Sequence, residues 1–358
     1  MKWSLLIARV GGTEVRIHVT FFLLLAFVVW SVGPLAAAFV LTIFLCVLLH
    51  EFGHVAAARA FGIRTPDVTL LPIGGLARLE RMPRRPSREL VVAVAGPAVN
   101  VVIAAVLFFV LREWPTPLTP ELDLGTVPGF LAALLVVNLW LVAFNMIPAF
   151  PMDGGRVLRA LLATRLPYAR ATRWAAYTGQ VLAVAAAFFA LLNGHLILLA
   201  IAIFIFIGAG HEAAAARFQD GTQGLPVHAA MMSRFETVSP TDTLQTAVDR
   251  LLAGAQHDFP VVDGSGAIRG LLTRSDLVAA LAEHGAGHPV FDVALPDPPT
   301  VAADAPLSQA LEQMAADASE TLLVVDADNE GRLAGMLTRS NLAELLMVRR
   351  AVESKVGR

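Results

Sequence analysis

The apolar run Ala36–Leu49, followed at once by His50-Glu51-Phe52-Gly53-His54, decides how the chain is read. Residues four apart share one face of a helix, so His50 and His54 can offer two imidazoles to one metal ion. Glu51, next to the first imidazole, can take a proton from a water polarised by that metal without being a ligand itself. A charged side chain at mid-helix in a bilayer costs about 2.5–3.5 kcal/mol on insertion scales. A Glu between two His in such a helix therefore needs a compensating partner, and a divalent cation is a good one. The bland alternative is a chance match in which the histidines pack or cap. The chain has one other His-Glu pair, His211-Glu212, with Ala215 where the second His would stand. It reads as a helix end at the membrane surface.

The surrounding composition fits a membrane setting. Of 358 residues, 56% are hydrophobic and 16% charged, and the mean hydropathy is +0.66. That is too apolar for a soluble globular protein of this size and implies several membrane spans. The formal net charge of -2 gives no sign of nucleic-acid binding. The single cysteine, Cys46, excludes an intrachain disulfide framework and a multi-cysteine metal site. A zinc site must then draw on His and carboxylate. Cys46 lies four residues before His50, on the same helix face, and reads as a small packing residue.

Along the chain, Leu6–Val10, Gly11-Gly12 and Val15–Ile17 read as a short hairpin, not a cleaved leader. Apolar spans are expected at about Val19–Trp30, Leu35–Phe61, Leu90–Leu111, Pro128–Ile147, Trp174–Leu192 and Leu196–Ala214. Gly62–Arg78, with its prolines, glycine pairs and β-branched residues, reads as extended or hairpin. A polar, Pro-rich loop covers Arg112–Gly125. The fold class is thus a polytopic α-helical membrane protein of about six helices, with a short membrane-associated β element, over residues 1–217. A more soluble part follows from Phe218.

The basic residues suggest an orientation. Lys2, Arg9 and Arg16, then Arg64, Arg78, Arg81, Arg84, Arg85 and Arg88, then Arg156, Arg159, Arg165, Arg170 and Arg173 fall in alternate connections. The opposite connections hold only Arg112. The positive-inside rule then puts both termini in the cytoplasm. The His50/His54 pair and Asp153 reach the same side at similar depth.

A catalytic zinc typically takes three protein ligands and an open position. Asp153 is the candidate third ligand. Pro148, Pro151, Gly154 and Gly155 keep its segment from continuing a helix, and irregular backbone at membrane depth belongs in a protein interior or cavity. Spacing alone does not separate this role from a cap on the helix that begins at Gly154 or Gly155.

At this point a resemblance is plain. HEFGH in a transmembrane helix, Gly96-Pro97-Ala98-Val99-Asn100 in the next span, and Phe144–Arg156 with Asn145 and Met152-Asp153-Gly154-Gly155 together resemble the site-2 protease family of intramembrane zinc metalloproteases. The resemblance covers about residues 1–217, and the core motifs show no departure from the pattern. It implies one zinc per chain held by His50, His54 and Asp153, with Glu51 as general base. It also implies that Asn100 and Asn145 sit near the active site and hold the substrate backbone or the oxyanion. Read from the residues alone, each Asn fits an interhelical hydrogen bond better than a substrate contact. The stretch Thr69–Ala77 resembles the family's membrane-associated β element, which is thought to present an edge to an unwound substrate.

From about Val227 the chain repeats itself with a period near 63–65 residues. Phe259–Asp263 and Gly270–Leu277 recur as Leu322–Asp326 and Gly335–Leu342. Each copy reads helix, strand, Asp/Gly turn, strand, helix. The pair resembles a tandem CBS-domain pair, with a linker over 218–226, copies over 227–286 and 287–350, and a tail over 351–358. The resemblance implies an adenine nucleotide in the clefts, contacted by Thr273, Asp276 and Thr338. Asn341 replaces the second Asp and puts its ribose contact in doubt. Asp276 and Asn341 also read simply as helix caps. Such pairs often form homodimers.

Two functional classes follow. One is a zinc endopeptidase of the cell membrane, its active site within the bilayer and its CBS pair cytoplasmic and gating. It would cleave transmembrane segments of membrane-tethered regulators such as anti-sigma factors, its other partner being membrane lipid. The other is a CBS-regulated metal-ion transporter or channel, in which the His, Glu and Asp residues line an ion path.

Overall fold

A computed structural model describes residues 3–72, 74–78, 85–112, 124–222, 224–317, 319–326 and 332–356. Lys2, Arg81, Arg84 and most of the Pro-rich loop after Arg112 lie outside these residues. The chain forms two compact units, Met1–Ala216 and Arg217–Arg358.

In the first unit, β1 (Ser4–Val10) and β2 (Thr13–His18) form the expected hairpin. Gly11 and Gly12 carry φ of 57° and 90°, the positive values a two-residue hairpin turn requires. Helix α1 (Val19–Ser31) ends before Gly33, and Pro34 opens α2 (Pro34–Ala60) where a missing N–H costs nothing. The stretch expected to be extended is a second hairpin, β3 (Asp67–Leu71) with β4 (Gly74–Arg78). The two hairpins join, because β2 and β3 pair in parallel from Glu14–Asp67 to Ile17–Leu70. The result is one four-stranded sheet in the order β1-β2-β3-β4. Parallel pairing across a helical crossover has a topological consequence: α1 leaves the sheet and α2 returns to it.

Next come α3 (Pro86–Leu111), α4 (Val127–Asn145), α5 (Asp153–Ala163), α6 (Tyr168–Asn193) and α7 (Leu196–Thr222). Among the described residues, α2, α3, α4, α6 and α7 are long and apolar enough to cross a membrane. The 13 residues of α1 reach about 20 Å, short of a hydrocarbon core of about 30 Å. Leu23, Phe109, Phe188 and Ile197 stand exposed on these helices, an arrangement suited to lipid contact. The short helix α5 is an additional element between the fourth and fifth expected spans.

In the second unit, the first copy holds α8 (Leu244–Ala253), β5 (Phe259–Val262), β6 (Ile268–Leu272) and α9 (Arg274–His284). The second holds β7 (Thr300–Ala302), α10 (Leu307–Ala316), β8 (Thr321–Val325), β9 (Leu333–Thr338) and α11 (Arg339–Val356). Asp263 organises the β5–β6 turn. Its carboxylate accepts from Ser265 Oγ, Arg269 Nε, Ala267 N and Ser265 N, and these donors hold it well below the usual carboxylate range. The cores are exchanged relative to the sequence repeat. Val227 and Ala230 lie in the core of the second copy, whereas Val290 and Ala294 lie in that of the first. The sequence boundary near 286 therefore does not separate the cores.

One buried cluster ties four helices of the first unit together. Arg159, on α5, donates through Nε to Glu89 in the first turn of α3 (2.6 Å) and through Nη1 to Glu212 on α7 (2.5 Å). Its guanidinium lies 5.0 Å from the ring centroids of both Phe150 and Tyr168, the latter the first residue of α6. Arg159 and Glu89 are each 1% exposed. One expectation is corrected: Glu212 is not a helix end but an ion-pair partner inside α7, and Arg159, counted among the basic residues of its connection, is buried. Removing one partner of a buried pair strands the other charge and costs about 3–5 kcal/mol, while replacing the pair by apolar residues costs far less. Arg159→Met is accordingly expected to lower thermal stability in detergent by an amount of that order. Glu89→Leu combined with Arg159→Met is expected to recover most of the loss, as read by the unfolding midpoints of both variants.

Candidate metal centre

Helix α2 delivers His50 and His54 one turn apart, and α5 begins at the residue that meets them. The chain between α4 and α5 turns tightly: Ala149 N donates to Ile147 O, Met152 N to Ala149 O and Gly155 N to Met152 O. These turns set Met152 at the cap position of α5, without a side-chain cap bond, and Asp153 at its first helical position. Spacing alone left Asp153 either a cap or a ligand. In the structure its carboxylate points at the histidines.

Asp153 Oδ2 lies 3.2 Å from His50 Nε2 and 3.1 Å from His54 Nε2, and the two Nε2 atoms are 3.2 Å apart. His50, His54 and Asp153 are 5%, 3% and 6% exposed, and their ligand atoms all lie within 4.8 Å of one another. The tautomers follow from the far side of each ring. His54 Nδ1 lies 2.7 Å from the carbonyl oxygen of Val92. A carbonyl only accepts, so Nδ1 carries a proton, and in the neutral ring Nε2 is bare. His50 Nδ1 lies 2.5 Å from Asn100 Oδ1, which has the same effect. Two bare nitrogens and a carboxylate oxygen thus converge with no proton between them. They repel one another unless a cation is shared. Tetrahedral ligands 2.0–2.1 Å from zinc stand about 3.3–3.4 Å apart, so both spacing and the nitrogen–oxygen donor set fit that ion. Arg156 Nη1 stands 3.7 Å from the other oxygen of Asp153.

Two glycines make room. A Cβ on Gly96, in α3, would stand 2.7 Å from His50 Nε2 and 2.6 Å from His54 Cε1. A Cβ on Gly75, in β4, would stand 2.6 Å from Glu51 Cγ and 2.9 Å from Glu51 Oε1. Glu51 is part-buried, and among the described residues no hydrogen bond or ion pair engages its carboxylate.

Of the two asparagines expected beside substrate, Asn100 is fully buried behind His50, and both ends of its amide are engaged. Oδ1 meets His50, and Nδ2 donates to Asn138 Oδ1 at 2.8 Å. Its place is therefore that of a support for His50. Asn145 ends α4 and donates to Leu141 O of its own helix at 2.9 Å. Asn138 is a residue that the sequence reading missed. Its only signal was a polar side chain inside an apolar helix. Cys46 packs beside it, with Asn138 Nδ2 3.6 Å from Sγ.

In the second unit, Asp258, Thr273, Asp276, Thr338 and Asn341 line a cleft of about 2450 Å³ between the two copies. Thr273 Oγ1 donates to Asp276 Oδ2 and accepts from Asp276 N, at 2.6 and 3.2 Å. Thr338 and Asn341 repeat this arrangement at 2.7 and 3.2 Å. The Asp-to-Asn difference therefore leaves the cap geometry intact. Asp258 accepts from Arg274 N of its own copy and from Thr321 of the other.

The tight approach at Gly96 generates a test. Gly96→Ala is expected to push the imidazoles apart and weaken metal binding at least about tenfold, measured by metal analysis after dialysis. The helical circular dichroism should be retained.

Comparison with known proteins agrees with this geometry. The model of peptidase family M50 matches residues 38–118 and 119–186, and the CBS-domain model matches 227–283 and 290–348. The chain is 28% identical to the zinc metalloprotease MJ0392 of Methanocaldococcus jannaschii over 97% of both proteins. It is 32% identical to stage IV sporulation protein FB of Bacillus subtilis over 37% of this chain and 43% of that protein. Among solved structures, the site-2 protease from M. jannaschii is 33% identical, with 59% of this chain and 95% of that one covered and a TM-score of 0.46. The chain belongs to peptidase family M50, the site-2 type metalloproteases, and carries a CBS-domain pair behind its membrane part.

Proposed function

We propose that the chain is an intramembrane zinc endopeptidase with His50, His54 and Asp153 as ligands and Glu51 as general base. The convergence of three bare acceptors at one dry point, one residue from an uncommitted carboxylate, carries this reading. Zinc, when bound there, supplies a Lewis acid for the scissile carbonyl and makes water acidic enough to attack near neutral pH. Glu51 takes the proton of the attacking water and hands it to the leaving amine nitrogen. Its freedom from hydrogen bonds and the room beneath Gly75 suit both transfers.

The sheet suits substrate handling. A transmembrane helix hides its peptide bonds in its own hydrogen bonds, so cleavage requires local unwinding and new partners for the freed backbone. Strand β4 is an edge of the sheet, paired only with β3 among the described residues, and it runs over Glu51. An extended segment added beside β4 gains main-chain hydrogen bonds and passes the base. Asn145, ending α4 just before the Asp153 loop, is the candidate to hold a substrate carbonyl. Transmembrane segments of membrane-tethered regulators, anti-sigma factors among them, are the proposed substrates.

Basic residues Arg64, Arg85, Arg88, Arg165, Arg170 and Arg173 flank the helix ends nearest the sheet and the Arg159 cluster. The positive-inside rule supports a cytoplasmic position for that end. The termini and CBS pair would share it, with the metal centre inside the bilayer toward the cytoplasm. The cleft between the copies is the proposed seat of an adenine nucleotide that gates cleavage, with Thr273, Asp276 and Thr338 as contacts. The pair is also the proposed homodimer interface. The transporter reading is less well supported, since the buried His and carboxylate ligands gather at one point rather than along a path.

The test is cleavage of a membrane-tethered reporter in sealed vesicles. Glu51→Gln is expected to lower the rate about 10²–10⁴-fold while retaining zinc, and His54→Ala to lose both rate and zinc. AMP or ATP is expected to change the wild-type rate, and indifference to both would remove the gating proposal alone. Undiminished cleavage by Glu51→Gln, or metal flux across the vesicle without cleavage, would overturn the protease reading.

A further inference from the structure

The two imidazoles at the metal centre are oriented by different means. The backbone carbonyl of Val92 settles His54 directly. His50 depends on the amide of Asn100, and an amide presents either an acceptor or a donor according to which way it faces. If Asn100 turned over, its NH2 would face His50 Nδ1. That arrangement favours the tautomer with the proton on Nε2, where the metal must bind. Something has to hold the Asn100 amide one way round.

We infer that Asn138 is a positioning residue for metal binding, which it serves by fixing the direction of a hydrogen-bonded chain from α4 through α3 to His50. The chain starts from a group that can act in only one sense. Asn138 Nδ2 donates to the carbonyl oxygen of Leu134, one turn back in α4, at 2.9 Å. Because a carbonyl only accepts, the nitrogen of Asn138 must face Leu134 and its oxygen must face Asn100. That oxygen also only accepts, so Asn100 must present Nδ2, which lies 2.8 Å away. Asn100 Oδ1 is then left for His50 Nδ1, at 2.5 Å. The proton sits on Nδ1, and Nε2 faces Asp153 and His54 bare. Asn100 and Asn138 are both 0% exposed. Reversing any link would set like against like in a dry site and strand buried polar groups, which are costly to leave unpaired.

The inference rests on the metal reading of His50, and its test separates the two. Zinc affinity is measured by chelator competition in wild type, Asn138→Leu, Asn100→Asp and the double variant. A carboxylate at position 100 only accepts, so it holds the Nδ1 proton without help from Asn138. Asn138→Leu is expected to weaken zinc binding about 10–100-fold with Asn100 present, the usual range for a lost outer partner. With Asp at position 100 the same substitution is expected to cost less than about threefold. A residue that merely joined helices would cost the same in both backgrounds. In metal-free protein, at a pH high enough for the ring to be neutral, the 15N spectrum of His50 should show Nδ1–H alone in wild type and mixed tautomers in Asn138→Leu. Should the leucine variant fail to fold, Asn138→Thr supplies a hydroxyl that donates to the i−4 carbonyl, as Thr172 and Thr178 do here, and accepts from Asn100. It is expected to stay within about threefold of wild type. Equal losses in both backgrounds, or an unchanged tautomer in Asn138→Leu, would overturn the inference while leaving the metal reading intact. A wild type that binds no zinc would overturn both.

Discussion

Three lone-pair donors, two imidazole nitrogens and a carboxylate oxygen, forced together are the constraint on which the membrane unit depends. His50 Nε2, His54 Nε2 and Asp153 Oδ2 stand 3.1–3.2 Å apart in a buried site. In water such groups would separate or take up a proton. Here the Nδ1 proton of each ring is committed outward to an acceptor, so only an added cation, a proton or a metal, relieves the repulsion between the inner atoms. The close passage of α3 at Gly96 leaves the rings no retreat on that side. The cost of assembling the site is met when a cation binds, and metal binding and local structure are therefore coupled.

The scaffold that holds these acceptors is itself pinned by charge. Arg159 sits less than two turns along α5 from Asp153 and joins that helix to α3 and α7, with the rings of Phe150 and Tyr168 beside it. Such a cluster adds little net stability compared with apolar packing, but breaking it strands a buried charge. The sheet supplies a second fixed reference. Parallel pairing of β2 with β3 requires the chain to leave and return, and it brings β4 over the turn of α2 that carries Glu51. The proposed ligands, the proposed base and the strand edge thus come from elements distant in sequence.

Features set by local chemistry were legible in the chain. The HEFGH spacing, the Gly11-Gly12 turn, the start of the second span near Leu35 and the repeated strand–turn–strand of the tail each depend on residues a few positions apart. What was not legible depends on distant partners. Arg159 looked like one more loop cation because its two carboxylates lie 70 and 53 positions away. Asn138 looked like an isolated polar residue in an apolar run, since its link to His50 passes through α3. Asn100 was read as a residue that holds substrate, whereas its oxygen faces an imidazole and its nitrogen faces Asn138. In the tail the repeat was plain, but the exchange of Val227 and Val290 between cores was not, because periodicity says nothing about which copy a leading segment joins.

X-ray absorption at the zinc edge of the purified, metal-replete chain, with zinc counted per chain, tests the central claim most directly. The account predicts one zinc with two imidazole nitrogens and oxygen ligands at about 2.0–2.1 Å. One imidazole should be lost from that shell in any zinc retained by His54→Ala. Absence of zinc, or a shell of oxygens without imidazole, would contradict it.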